Sequence, residues 1–531
     1  MTISGKQLIG NTLSAKGGQT FLALNPRSGQ TLTTTFHNAT QEEVDQAVRL
    51  AENAFLPFTQ ISRSDRAIFL DRIAVEIMDL GDSLIERCMS ETALPAARLQ
   101  GERARTVNQI KMFAQLIREG HWIDARIDTA IPNRQPLPRP DIRQLLMPLG
   151  PVAIFGASNF PLAFSVAGGD TASALSAGCP VVVKGHPAHP GTSEMVGHAI
   201  VKAAAASGMP NGVFSLVQGT TNDVGSALVR HPLIQAVGFT GSFKGGKALF
   251  DLANKRRVPI PVFAEMGSTN PSFILPGAVK SDEDLAQGLV NSISLGTGQF
   301  CTNPGLLFIM ESGNTVDFKK KISEYFSQVT AGTMLTPFIK DTFDNQVDLF
   351  AKISGVKAIS KGFREDSVLG VSGHLFYTTN ETFSKHPELA EEVFGPSSLM
   401  VSVYSKNELF EAAGNLEGHL TASVHGDDDD FEEYRDLFRI LERKVGRLII
   451  NGYPTGVEVC HSMMHGGPYP ATTAAQFTSV GTNAVRRFVR PICYQNFPDN
   501  LLPEDIRDKN PGGIWRLVNG EWHNHDLSED S

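Results

Sequence analysis

Three side chains in this sequence are of types that could do covalent chemistry on a carbonyl carbon. Cys301 sits in Gly296-Thr297-Gly298-Gln299-Phe300-Cys301-Thr302-Asn303-Pro304-Gly305, among small and polar residues rather than in a Val/Leu/Ile run. A nucleophilic thiol needs a low pKa and open backbone around it. On its flanks alone, a packed structural cysteine still outweighs that reading. Glu265 lies in Phe263-Ala264-Glu265-Met266-Gly267-Ser268-Thr269-Asn270-Pro271, a carboxylate between apolar residues at a strand end. Burial there would raise its pKa, which suits a general base. A buried, paired structural carboxylate explains the same placement equally well. Asn159 falls in the apolar loop Phe155–Phe164, where an amide must hydrogen-bond to backbone or to a ligand.

Phosphate-binding signals are weaker. No G-x-G-x-x-G follows a strand, and no G-x-x-x-x-G-K-[ST] occurs. Gly241-Ser242-Phe243-Lys244-Gly245-Gly246 follows the strand pattern AVGFT and opens a helix, so its free N–H groups and dipole could take an anion. The acidic run Asp427–Asp430 lacks the glycine and ligand spacing of a calcium loop and reads as a solvated helix start. No metal site is predicted.

The elements that would position these groups alternate between strand and helix. Thr40 and Glu43 form a capping box ahead of a helical face of Val44, Ala47, Val48, Ala51 and Phe55. Amphipathic helices are predicted over 66–84 and 102–119, then a Pro-rich connector at 131–140 and an extended arm at 141–147. Pro180-Val-Val-Val-Lys184 is the pattern of a strand buried on both faces. Strands at 152–155, 180–184, 213–217 and 236–239, each followed by a helix, argue for an α/β fold with a parallel sheet. The second half repeats the theme: strands at 272–275, 305–310, 399–403, 420–424 and 447–451, and helices at 282–294 and 427–441. The polar stretch after Leu501 reads as a mobile tail.

Composition narrows the class. A chain of 531 residues, 41% hydrophobic and 19% charged, is an ordinary globular one with room for roughly three or four domain-sized units. Its net charge of −9 is the wrong sign for a dedicated nucleic-acid binder, and Lys255-Arg256-Arg257 is too short a cluster to argue otherwise. Five cysteines, an odd and widely spaced set without a C-x-x-C pair, argue against a disulfide framework and for a reducing, cytoplasmic compartment. Met1–Gly10 has no apolar core of a leader, and Asn159 and Pro161 interrupt the most membrane-like stretch, Val152–Gly169. No membrane association is predicted.

Seven motifs together resemble the aldehyde dehydrogenase superfamily, in order and at matching separations. They are Gly156-Ala-Ser-Asn159-Phe160-Pro161, Pro180–Lys184, Phe239-Thr-Gly-Ser242, Glu265-Met-Gly267, Gly298-Gln-Phe-Cys301, Glu392-Val-Phe394-Gly-Pro396 and Gly446-Arg-Leu-Ile-Ile-Asn451-Gly. The flanking pattern matches from near Asn25 to Asn496. The resemblance implies an aldehyde dehydrogenase fold: a variant Rossmann cofactor domain (1–133 and 150–266), a second α/β catalytic domain (267–483), a small β oligomerisation arm (134–149 and 484–500) and a tail (501–531). It also implies roles. Cys301 attacks the aldehyde, Asn159 and the Cys301 N–H hold the oxyanion, and Glu265 activates water. Glu392 holds the nicotinamide ribose with Phe394 beside the ring. Gly241 and Ser242 reach the pyrophosphate, and Lys184 reaches the adenosine ribose. A homodimer or homotetramer follows from the arm.

Departures from the family point to a branch. Gly267-Ser268-Thr269 replaces Gly-Gly-Lys, and Lys184 is followed by Gly185-His186-Pro187 instead of a glutamate three residues on. Without that carboxylate NADP is admitted, with Lys184 and His186 as cationic or donor partners, and NADP is expected over NAD. The strings EMGSTNP, GQFCTNPG and VRRFVRPICYQNFP are similar to bacterial α-ketoglutarate semialdehyde (2,5-dioxovalerate) dehydrogenases and to their relative, the NADP-preferring fatty aldehyde dehydrogenase of luminous bacteria. A small aldehyde, α-ketoglutarate semialdehyde, is the implied substrate; fatty or other aliphatic aldehydes are the alternative. A catalytically silent relative or a CoA-acylating one would lack Cys301, Asn159 or Glu265. Phe160, Phe164, Val457 and His465, with His461, are the expected tunnel residues. Arg98, Arg103 and Arg105 are candidates for a far carboxylate, against a favoured reading as a solvated helix face.

Overall fold

The computed structural model describes residues 2–280 and 283–527. Its first sheet has seven strands in the order Val262–Glu265, Ala236–Thr240, Val152–Phe155, Val181–Lys184, Phe214–Val217, Gln7–Ile9, Thr12–Ser14. The first five are parallel. The three valines of Val181–Lys184 are completely buried because both faces are covered. Val181 and Val183 face a core with Leu70, Ile110 and Phe113, and Val182 faces one with Val44, Val48 and Val217. From Val152–Phe155 the chain adds strands first on one side and then on the other. The reversal leaves a crevice between the ends of Val152–Phe155 and Ala236–Thr240, where such sheets bind ligands.

The second sheet runs Lys357–Lys361, His374–Thr379, Ser397–Val403, Leu306–Met310, Ser272–Ile274, His419–His425, Val445–Ile450. All of its pairs are parallel except the first. Alternate residues again feed two cores. Leu306, Phe308, Leu399 and Val401 point one way, and Leu307, Ile309 and Met400 the other. Glu265 ends a strand of the first sheet, whereas Cys301 precedes a strand of the second. The site therefore lies where the exit edge of one sheet meets the entry edge of the other.

A third, five-stranded sheet has the order Val489–Gln495, Ile142–Pro148, Arg126–Asp128, Arg516–Val518, Glu521–His523. Its first two strands pair antiparallel from Val489↔Pro148 to Gln495↔Ile142. Here the tail expectation is corrected. Arg516–Val518 and Glu521–His523 are strands of this sheet, with Arg516 fully buried and its Nη2 donating to the His525 carbonyl at 2.9 Å. Asn510 Nδ2 donates to the Ile514 and Asn524 carbonyls, both at 2.9 Å. Side-chain-to-carbonyl bonds order a polar segment that has too few apolar residues to signal a core. The last residues of the tail, 528–531, lie outside the described residues.

Three other readings change in detail. The helix predicted over 66–84 is two, Arg63–Asp79 and Gly81–Thr92, divided at Gly81 with φ 59°. The helix read from 282 is observed as Glu283–Ser294, and residue 282 itself is outside the described residues. Asp427–Asp430 does begin a helix, through a reciprocal capping box, but Asp430 is buried and also accepts the Gly277 N–H at 2.7 Å.

Candidate active site

Cys301 is delivered by an unusual turn. Gly296, Thr297 and Gly298 all have positive φ, 57°, 62° and 64°. At Gly298 a Cβ would stand 2.1 Å from the Gly395 carbonyl oxygen, so only glycine fits. Asn270 fastens the turn from below. Its Nδ2 donates to the carbonyls of Cys301 at 2.8 Å and Asn303 at 2.9 Å, and its Oδ1 accepts from Ser268 and Thr421. Gln299 adds a second fastening through the Leu335 N–H. Neither Asn270 nor Gln299 was singled out in the sequence; a buried asparagine just before a strand was the available signal.

The structure brings Cys301, Glu265 and His465 together. His465 Nε2 lies 3.5 Å from Cys301 Sγ and 2.8 Å from Glu265 Oε1. Ser479 Oγ donates to the other carboxylate oxygen, Oε2, at 2.7 Å. His465 and Ser479 arrive on one returning segment. It is closed by the Ser479 N–H to the His465 carbonyl and tied to the Glu265 strand by the Met266 N–H to the Ala471 carbonyl, both at 2.8 Å. His465, expected at the tunnel mouth, is thus almost fully buried beside the thiol. The three donor atoms lie within 4.8 Å of one another, close enough for a thiophilic divalent ion, although hydrogen bonds among them and to Ser479 already engage them.

The electrostatics differ from expectation at Glu265. Burial pushes its carboxyl up, as foreseen, but the charge and hydrogen bond of His465, the Ser479 hydroxyl and the Cys301 thiol together hold it below the ordinary value. The Cys301 thiol is pushed well above its ordinary value by burial, by Glu265 and by Glu392, with Arg105 acting the other way. In this state Cys301 is a protonated thiol beside an ionised carboxylate.

Asn159 is buried with its Nδ2 2.9 Å from the Gln299 carbonyl, which leaves its second N–H uncommitted. The Cys301 backbone N–H makes no hydrogen bond among the described residues. The loop carrying Asn159 is held by Glu102, whose Oε1 accepts the N–H groups of Leu162 and Ala163 at 2.8 and 2.9 Å. Phe160, Phe164 and Phe300 form an apolar wall with Ala157 and Val480, and Val457 packs against it. His461 is exposed and contacts Thr482 instead, at 3.4 Å.

The arginine reading is also corrected. Arg98 lies over the rings of Phe160 (5.0 Å) and Phe300 (4.8 Å). Arg105 lies over Phe160 (5.9 Å) and Phe164 (5.2 Å). Both are half-buried, not part of a solvated face. Aromatic faces attract the guanidinium, and this offsets its desolvation. Arg103 instead donates to the Gly81 carbonyl at 2.7 Å.

The dinucleotide candidates gather along the crevice. Ser242 caps the helix Phe243–Asn254 by accepting the Gly245 N–H at 3.2 Å, and Gly241, Ser242, Phe243 and Lys244 are exposed. Lys184 ends a neighbouring strand, donates to the Gly219 carbonyl at 2.7 Å, and is lowered to about 8 by burial. His186 departs from the expectation of a cation. Burial, then His189 and Lys184, hold it well below its usual range, so it is neutral. Its Nδ1 accepts the Ala188 N–H at 3.1 Å, which leaves Nε2–H as a donor. Glu392 and Phe394 line a small cavity with Ser268, Thr269, Gly298 and Phe300. At Gly267 a Cβ would stand 2.4 Å from Glu392 Oε2, so the carboxylate can sit there only over glycine. An exposed helix N-terminus at the strand reversal, a buried cation and a carboxylate at a small cavity fit the pyrophosphate and two riboses of a nicotinamide dinucleotide.

A thiol, a carboxylate and an amide gathered between two α/β sheets suggest a class, and comparison places the chain in it. Residues 13–471 match the aldehyde dehydrogenase family, and the chain belongs to that family. It is 49% identical over 523 residues to alpha-ketoglutaric semialdehyde dehydrogenase 2 of Azospirillum brasilense, covering 98% of this chain and 100% of that one. It is 45% identical to alpha-ketoglutaric semialdehyde dehydrogenase of Acinetobacter baylyi, over 97% and 98% of the two chains. Among solved structures, the NAD+ complex of aldehyde dehydrogenase from Bacillus cereus superposes with a TM-score of 0.78 at 22% identity, covering 92% of this chain and 96% of that one. No helix among the described residues is long and apolar enough to cross a membrane.

Proposed function

We propose that this enzyme oxidises α-ketoglutarate semialdehyde to 2-oxoglutarate, with NADP preferred over NAD, through a thioester on Cys301. The observation that carries the chemistry is the contact of Cys301, His465 and Glu265 beside the free N–H groups of Asn159 and Cys301. The two relatives that match over nearly the whole chain support the substrate. NADP is favoured by Pro187, where a carboxylate would repel a 2′-phosphate, and by Lys184 and the Nε2–H of His186 as its partners.

The residues act in sequence. The His465–Glu265 pair takes the thiol proton as Sγ bonds to the aldehyde carbon, and the carbonyl oxygen becomes an alkoxide. The second N–H of Asn159 and the backbone N–H of Cys301 are donors fixed in place before that charge develops. When bound, held by Lys184, Ser242, Glu392 and Phe394, the dinucleotide supplies the acceptor for the hydride that leaves this carbon. The thiohemiacetal on Cys301 thereby becomes a thioester. The pair passes the thiol proton to solvent, Glu265 then removes a proton from water, whose oxygen bonds to the thioester carbon, and Sγ departs, taking that proton back to restore the thiol as the acid is released. Phe160, Phe164 and Val457 exclude bulk water from the pocket.

The domain division given above is also proposed. Separate cores on the two large sheets support it. The arm strand Val489–Gln495 is a sheet edge with a free side, which supports pairing with a second subunit and so a homodimer or a homotetramer built as a dimer of dimers. Five free cysteines support a cytoplasmic, reducing compartment.

The test is kcat/KM for α-ketoglutarate semialdehyde, succinate semialdehyde and hexanal, each with NAD+ and NADP+. The first aldehyde is expected to lead by about tenfold or more, a difference within reach of specific polar contacts. A lead by hexanal would overturn the substrate, and a lead with NAD+ would overturn the cofactor preference.

Glu392 makes a pH dependence. Burial pushes its carboxyl up to about 7 against one backbone bond from Ser268. It accepts ribose hydroxyls best when ionised, so affinity should increase as pH rises through about 7. NAD+ binding, followed by fluorescence titration from pH 6 to 7.5, should tighten about eightfold, the rise in ionised fraction of such a group. This range stays below the midpoint of Lys184 at about 8, so that lysine remains mostly charged throughout. Glu392→Gln should flatten the curve; an equally steep curve in that variant would exclude Glu392 as its source.

A further inference from the structure

Two arginines at the aldehyde pocket hold donors that nothing among the described residues uses. Arg98 and Arg105 lie seven residues apart on the helix Ala96–Glu119 and so project from one face. Their heads share the Phe160 ring, and Phe300 and Phe164 flank them on either side. Arg98 spends Nη2 on the Asn159 carbonyl at 2.7 Å, but its Nη1 is closed off from solvent without a partner among the described residues. Arg105 has two such nitrogens, Nε and Nη2. Buried donors are nearly always paired, and an Nε with an Nη2 is the edge of a guanidinium that matches a carboxylate in two parallel bonds.

The charges around these heads do not satisfy them. Glu102, between the two arginines on the same helix, gives Oε1 to the Leu162 and Ala163 N–H groups and forms no ion pair with either among the described residues. Arg105 also feels Cys301, Glu265 and Glu458. Glu265 is taken by His465 and Ser479, and Glu458 is exposed at the mouth. Burial lowers the pKa of both guanidiniums, a cost that a bound anion would reverse. The mutual influence of Arg105 and Cys301 places the cation within electrostatic reach of the nucleophile.

We propose that Arg98 and Arg105 form a clamp for the far carboxylate of the aldehyde substrate, which selects short ω-oxo acids over uncharged aldehydes. The proposal rests on the semialdehyde reading above and extends it to the residues that enforce it. Arg105 supplies the two-pronged contact through Nε and Nη2. Arg98 supplies Nη1 and ties the clamp to the Asn159 carbonyl, so that anchoring the carboxylate also steadies the oxyanion-binding loop.

The test is the ratio of kcat/KM for α-ketoglutarate semialdehyde to that for pentanal, an uncharged aldehyde of the same chain length. Succinate semialdehyde serves as a second acid. In Arg105→Gln the ratio should fall about 100-fold or more, mainly through KM, because a polar pocket left unpaired rejects strongly. Arg98→Gln should fall less. Arg105→Lys should recover part of the loss, since it keeps the charge without the fork; this variant carries the test if the glutamine variant does not fold. Glutarate, a dead-end mimic, should protect Cys301 from iodoacetamide in the parent enzyme and lose that protection in Arg105→Gln. A ratio unchanged within threefold would overturn the clamp. So would equal losses on acid and pentanal with slower alkylation, which would make Arg105 a partner of the thiolate alone. A parent enzyme that prefers succinate semialdehyde, with the preference lost in the variant, would correct the substrate and keep the clamp. A parent enzyme that prefers pentanal to both acids would remove both readings.

Discussion

Cys301→Ala is expected to lower turnover by about 10⁵-fold or more while leaving dinucleotide affinity within about threefold. The size of the loss follows from the position of Sγ. It is the atom that bonds to substrate, and removing a nucleophile that works as one unit with its base costs nearly the whole of the covalent route. The retained affinity follows from geometry. Lys184, Ser242 and Glu392 belong to other segments, and the turn that delivers Cys301 is held by Asn270 through the backbone carbonyl of residue 301, which alanine keeps. Absorbance of the reduced cofactor measures the first quantity and equilibrium titration the second. Residual turnover above about 1% of the parent would mean that another group attacks the aldehyde.

Glu265→Gln is expected to separate the two halves of the reaction. Glutamine can still bond to His465 and Ser479, so the pocket keeps its shape and His465 remains beside the thiol to take its proton, but glutamine cannot take a proton from water. One equivalent of reduced cofactor per site should form in a burst, after which steady turnover should be slower by about 10²- to 10⁴-fold, the usual worth of a general base. Intact-mass spectrometry should find the acyl group on the enzyme, absent in the double variant with Cys301→Ala. The same substitution has an opposite effect on the thiol. Glu265 is one of the groups that keep Cys301 protonated, so its neutral analogue should shift the pH profile of iodoacetamide alkylation toward lower pH. A parent-like steady rate without a burst would assign the water-activating role elsewhere.

Much of this was legible in the sequence. The run Val181–Val183 betrayed a strand covered on both faces, and it lies in the middle of the first sheet. Cys301 and Glu265, which the structure brings together, were singled out because motifs register local backbone needs, such as the glycine at 298. What stayed hidden was determined by distant contacts. His465 was placed at a mouth, because nothing near residue 465 reveals that its ring lies against a carboxylate 200 positions earlier. The direction of the Glu265 shift was missed for the same reason. Burial is visible in flanking residues, whereas the partners that reverse its effect, His465 and Ser479, are not. Arg98 and Arg105 looked like a wet helix face because arginine's charge suggests solvent, while its flat head stacks equally well on buried rings. The three-residue strands Arg516–Val518 and Glu521–His523 are too short to carry a period.

The third sheet also sets a timetable. Ile142–Pro148 can pair with Arg126–Asp128 as soon as both leave the ribosome, but its other neighbour, Val489–Gln495, is translated about 340 residues later. At about 5–20 residues per second, one flank of that strand stays open for roughly 20–70 s. Arg126–Asp128 waits longer still for Arg516–Val518. During synthesis the nascent chain therefore carries an uncapped β-ribbon after both of the large sheets have had time to form. Nascent chains crowded on one message are most exposed to cross-pairing in that interval, and subunit assembly through the strand Val489–Gln495 is confined to the last moments of translation or after it.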